Sequence, residues 1–136
     1  MKDRRVAWVG TLAVVAHQAV AHLHGHAHHS LGVNLTHAQL LFVGAVIVAT
    51  PILAAILLWT KRARTGAILL AVAMPASLAF GVYHHFLVVS PDHVAHLPAG
   101  GQQSLFIITA YLLPVFEIAA AAVGLWGLTR LRPVAE

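Results

Sequence analysis

Four apolar runs, each long enough to cross a bilayer, divide this chain: roughly Val6–His24, Gln39–Thr60, Gly66–Val89 and Ser104–Thr129. About 20 apolar residues, wound at about 1.5 Å per residue, span the hydrocarbon core. Inside that core every backbone N–H and C=O must be satisfied within its own segment, so runs of this kind fold as helices. With 60% apolar and only 9% charged residues, the chain lacks the charged surface of an ordinary water-soluble domain. The expectation is an all-α membrane protein: a four-transmembrane-helix antiparallel bundle in which residues 1–136 form one domain.

The basic residues orient that bundle. Lys and Arg occur only at Lys2, Arg4, Arg5, Lys61, Arg62, Arg64, Arg130 and Arg132. All flank the runs on one side, and the two intervening connections, residues 24–38 and 90–103, contain neither. The positive-inside rule then predicts cytoplasmic N and C termini. Trp8, Trp59 and Trp126 each lie beside a basic end, where an interfacial aromatic belt belongs. A multi-pass protein of a bacterial or archaeal inner or plasma membrane is expected. A competing reading takes Met1–Ala21 as a signal peptide with Ala19–Val20–Ala21 as its cleavage site; the polar His17 and Gln18 just before that site argue against it.

The histidines mirror the basic residues. His17, His22, His24, His26, His28, His29, His37, His84, His85, His93 and His96 lie in the outer connections or in the spans leading to them. Imidazole is the commonest metal ligand and titrates near neutrality. Three groups follow from the spacing. The first is a deep pair, His17 and Glu117, each roughly 17–20 Å from the basic edge of its helix. Glu117 is the lone carboxylate within a span, and a buried anion needs a proton or a partner. The plain reading is a helix-register contact; a metal or proton-relay role is the alternative. Both residues lie on stripes of small residues that mark packing faces, Gly10, Ala13, Ala21 on the first run and Ala110, Pro114, Ala121, Gly124 on the fourth.

The second group is the tract His22, His24, His26, His28 and His29. If the first helix continues through it, residues 17, 24 and 28 share one face and residues 22, 26 and 29 another. If it is extended, His22, His24, His26 and His28 alternate onto one side. A histidine-rich tract is a compositional metal signal and is also compatible with a solvated loop. The third group is His84 and His85 at the outer end of the third run, followed by Asp92, His93 and His96. A site that draws His22 or His24 from one helix and His84 or His85 from another is predicted, with Asp92 as a ligand or as a partner that holds an imidazole tautomer. Pro91–Leu97 is expected to form one helical turn that presents Asp92 and His96 on one face.

With no cysteine, thiolate sites and disulfides are excluded. Imidazole with carboxylate suits Zn first and Cu second, and haem b held non-covalently by two histidines is the rival cofactor. Ser77, Ser90 and Ser104 lack a nucleophile-elbow context, and no Gly-rich phosphate loop precedes a helix. A binding or structural protein is expected rather than an enzyme: one that handles or senses metal, or a pH-sensing subunit. The net charge of +4 sits at the basic ends and suits anionic lipid headgroups, not nucleic acid. The expected partners are the lipid bilayer and a second copy of the chain or a larger membrane complex.

Overall fold

The computed structural model describes residues 4–131. Lys2 and Arg132, which entered the topology argument, and the first residues of the signal-peptide reading lie outside them. The described chain is four helices without a strand: α1 Arg4–Ser30, α2 His37–Leu58, α3 Ala63–Leu87 and α4 Gln103–Arg130. All four are long and apolar enough to cross a membrane. Their outer faces carry side chains such as Leu12, Val72 and Leu87, which are 63–67% exposed. An apolar surface of that kind suits lipid.

α1 runs through the whole histidine tract, which removes the extended alternative for residues 22–28. It stops because Gly32 takes a left-handed φ of 66° and Val33 N–H reaches back to His28 O at 3.0 Å. This six-to-one closure is a Schellman ending. α2 starts at the expected capping box: Thr36 Oγ1 accepts from Gln39 N–H at 3.3 Å, and Thr36 N–H donates to Gln39 Oε1 at 2.7 Å.

Two wide helical turns were not expected from the sequence. Residues Val43–Ala49 of α2 and Tyr83–Leu87 of α3 are π-helical. In α2 the cause is Pro51, which has no N–H to give to the carbonyl four residues back. The turn before it loosens, and Thr50 N–H bonds Ala45 O instead. π turns are rare and concentrate at functional sites.

α3 packs on α4 and on the second half of α2, and α1 packs on α4. The basic ends meet. Trp8 and Trp59 stack edge-on at 4.9 Å, and the Arg64 guanidinium donates to Leu128 O and Leu131 O at 3.0 and 2.8 Å. By contrast, none of residues 37–49 in α2 is buried. That half of α2 walls a cavity of about 680 Å³ that it shares with α1, α3 and α4.

The segment 91–97 departs from expectation. It forms turns closed by His93 N–H to Ser90 O at 3.0 Å and His96 N–H to His93 O at 2.8 Å, and no helix. Val94 N–H donates to His85 O at 3.0 Å. That bond folds the segment back over the end of α3, so Asp92 is buried while His96 is exposed.

Candidate metal centre

The α-helical continuation of α1 puts His17, His24 and His28 on its inward face, all buried, while His22, His26 and His29 are exposed. The wide turn at the end of α3 carries His85 inward, to 5% exposure. His24, His28 and His85 thereby converge, with one nitrogen from each ring lying within 4.8 Å of the others. Asp92 from the folded-back connection closes the group. Its Oδ1 is 3.1 Å from His28 Nε2 and 3.3 Å from His85 Nδ1. Phe106 of α4 packs against the rings of His24 and His28 at centroid distances of 4.6 and 4.7 Å and excludes water from that side.

The hydrogen-bond network assigns the ring protons. Thr109 has one hydroxyl hydrogen, directed to the carbonyls of its own helix: Leu105 O is at 2.6 Å and Phe106 O at 3.0 Å. Its oxygen therefore accepts from His24 Nδ1–H at 2.8 Å. His85 Nδ1–H donates to the backbone carbonyl of Asp92 at 3.0 Å. His28 Nδ1 faces Val33 O, turned inward by the Schellman ending, at 3.4 Å. A carbonyl can only accept, so Nδ1 of His24 and of His85 carries the proton and Nε2 keeps its lone pair; His28 faces an acceptor from each nitrogen, Val33 O at 3.4 Å and Asp92 Oδ1 at 3.1 Å.

Those lone pairs point at one another. His24 Nε2 and His85 Nε2 are 3.1 Å apart, and His28 Nε2 faces the Asp92 carboxylate. Both carboxylate oxygens of Asp92 are buried without an aligned hydrogen bond. Burial alone would raise the Asp92 pKa, but its contacts with His28 and His85 outweigh this and hold the carboxyl below the ordinary carboxylate range. The facing Nε2 lone pairs of His24 and His85 repel in a dry pocket unless a cation joins them.

The remaining predicted residues go elsewhere. His84 bonds Gln39 Nε2 at 3.3 Å and packs on Phe80 at 4.4 Å, away from the cluster. His93 and His96 contact each other at 3.1 Å, and His26 lies 3.5 Å from Ser30 Oγ. His37 is exposed at the start of α2. Deeper in the bundle, His17 Nε2 stands 3.6 Å from Glu117 Oε1, and the Ser77 hydroxyl donates to the same oxygen. Thr109, Phe106 and the Val33 carbonyl were not singled out from the sequence. Thr109 left one trace, as a hydroxyl about two turns from Glu117 toward the histidine end of the same apolar helix.

No family model matches the chain, and neither a curated protein nor a solved structure does.

Proposed function

We propose that this is a four-span membrane protein, an antiparallel bundle with both termini cytoplasmic, that binds a divalent transition metal at its outward end. His24, His28 and His85 are the nitrogen ligands and Asp92 the oxygen ligand. The observation that carries the reading is the orientation of the three rings. The Nδ1–H groups of His24 and His85 are tied to Thr109 and to Asp92 O, their Nε2 lone pairs face inward, and Val33 O stands ready to hold His28 in the same way. Metal-bound histidines are held in this way, by a partner on the other ring nitrogen.

Zinc suits the set best. Zn–N bonds of about 2.0–2.1 Å at tetrahedral angles place two ligand nitrogens about 3.3 Å apart, close to the 3.1 Å between His24 and His85. Copper is second, because imidazole with carboxylate also serves Cu²⁺. Haem fits poorly. Axial histidines stand on opposite faces of a macrocycle, whereas these Nε2 atoms nearly touch. The exposed His22, His26 and His29 border the cavity and supply a capture surface, which suits metal handling or sensing.

Protein purified without a polyhistidine tag is expected to carry near-stoichiometric zinc or copper by elemental analysis, and to lose it when His24, His28 and His85 are all replaced by Ala. Metal retained in that triple variant, or a Soret band in the wild type, overturns the assignment. Orientation is tested separately. Cysteines placed at His29 and His93, in a background without native cysteine, are expected to react with a membrane-impermeant reagent in intact cells. Reaction only after lysis reverses the topology.

A further inference from the structure

The cavity does not end at the histidines. It continues between α1, α2, α3 and α4 to a floor formed by Ser77 and Glu117, with apolar walls that include Val43, Ile47, Phe80 and Leu113. Its size falls within the range of roughly 300–1,000 Å³ typical of small-molecule sites. What the floor can bind depends on the charge state of the His17–Glu117 pair, and that traces back to Pro51.

Because Pro51 leaves Ile47 O without its helical donor, that carbonyl is open to a neighbour, and Gln18 Nε2 donates to it at 2.8 Å. A carbonyl can only accept, so the Gln18 amide must present its nitrogen on this side. The same nitrogen lies 3.4 Å from His17 Nδ1, which therefore accepts. The single ring proton of His17 is on Nε2. A second proton at Nδ1 would meet the Gln18 N–H head-on. His17 Nε2 is fully buried, 3.6 Å from Glu117 Oε1, and without a hydrogen-bond partner. At that distance no hydrogen bond forms.

Glu117 is thus served by a hydroxyl and a neutral ring and has no counter-ion from them. The titratable groups around it are His17 from α1 and, toward the other end of the cavity, His22, His24, His26, His28, His29, His85 and Asp92. No Lys or Arg lines the cavity. An uncompensated carboxylate at this depth is costly, so Glu117 either keeps a proton or takes a cation from the cavity it faces.

We propose that the cavity floor is a binding site for a compact protonated amine. The ammonium group pairs with Glu117 and Ser77, and the apolar body lies against Val43, Ile47, Phe80 and Leu113. The site is separate from the histidine cluster and stands without the metal reading. The open half of α2 supplies its entrance, since none of residues 37–49 is buried.

The test compares 1-aminoadamantane with the neutral, similarly shaped 1-adamantanol. Each is titrated calorimetrically into the full chain in neutral detergent with a chelator present, against a detergent-only blank. The amine is expected to bind at least 10-fold more tightly than the alcohol, and Glu117→Gln to erase that difference. The helical circular dichroism spectrum of Glu117→Gln should match that of the wild type, which shows that the fold persists. Val43→Trp, which fills the cavity without touching Glu117, is expected to abolish binding of both compounds. Equal binding of amine and alcohol to the wild type overturns the proposal, as does amine binding unchanged in Glu117→Gln; Glu117 is then a protonated packing residue. A fall of one bound zinc in Glu117→Gln overturns it in favour of a second metal station.

Discussion

The basic end and the histidine end of this molecule are held together by different physics. At the basic end, small residues let backbones touch. A Cβ added to Gly124 would lie 2.6 Å from Ala71 N and 2.9 Å from Ala67 O. One apolar cluster then joins Val6, Val14, Leu58, Leu70 and Met74. At the histidine end the apolar cluster is smaller, Ala27, Leu31, Val33, Phe106 and Ala110, and three imidazoles and a carboxylate occupy its centre. Lipid offers no hydrophobic drive between helices, so close packing and satisfied polar contacts must hold them. The basic end has the packing outright. At the histidine end the imidazole lone pairs of His24 and His85 face each other until a cation joins them, so its order is conditional on what it binds.

The largest effect that would separate the two ends is structural. Gly124→Val forces α3 and α4 apart along their backbones and is expected to destabilise the fold by about 3 kcal/mol, the upper part of the range for overpacking. Thermal unfolding followed by circular dichroism in detergent checks this with and without zinc. An unchanged midpoint would mean that close approach at Gly124 does not hold the basic end.

Next comes loss of a ligand. His85→Ala removes one of the converging nitrogens and leaves Asp92 with a single imidazole neighbour. A fall in zinc affinity of about 100-fold is expected, or about 2.7 kcal/mol. Metal-free thermal stability should drop little, because the lone pair that opposes His24 Nε2 goes with the ring. A large stability loss with zinc affinity intact would show that the histidines are packing residues and that this end resembles the other.

A smaller change sharpens the same contrast. Thr109→Val keeps volume and burial but removes the acceptor that holds His24 Nδ1–H. Loss of such a partner lowers metal affinity by about 10–100-fold, and the lower figure is expected here because the ring stays wedged on Phe106. Competitive titration with a zinc chelator measures it. Affinity equal to wild type would remove the tautomer argument on which the centre rests.

How much of this was legible in the sequence follows the same division. The basic end is a matter of composition and spacing. Apolar runs, Lys/Arg placement and small-residue stripes all report on periodic helices, and four helices of membrane-crossing length are what folds. The inward face of α1 was also legible, because 17, 24 and 28 share a face once the helix runs on. The choice of His85 over His84 was not, since it depends on a wide turn at Tyr83–Leu87 that no local signal announced. The failure at Pro91–Leu97 has the same root. Local spacing suggested Asp92 beside His96, but Val94 N–H found the free carbonyl of His85 at the end of α3, and that tertiary bond turned Asp92 inward alone. Val33 enters the site through its carbonyl, which side-chain chemistry does not mark.

The smallest expected effect concerns the contact that both ends share at mid-depth. His17 and Glu117 are buried and close, yet at 3.6 Å they fall short of a hydrogen bond, and the Gln18 amide holds the His17 proton on the side of Glu117. A double-mutant cycle of His17→Ala and Glu117→Gln, read from unfolding in detergent, is expected to give a coupling of about 0.6 kcal/mol, the average for polar pairs between membrane helices. Each single change costs more, about 1–3 kcal/mol, because it leaves a buried partner or a void behind. A coupling above about 2 kcal/mol would mean a true imidazolium–carboxylate pair, with the second proton on Nδ1 and the Gln18 amide reversed. That result would also take away the reason for Glu117 to seek a cation from the cavity. A coupling near the expected value leaves Glu117 facing the cavity with its charge unanswered by the bundle, and places the boundary between the self-sufficient end and the conditional end at the Ser77–Glu117 floor.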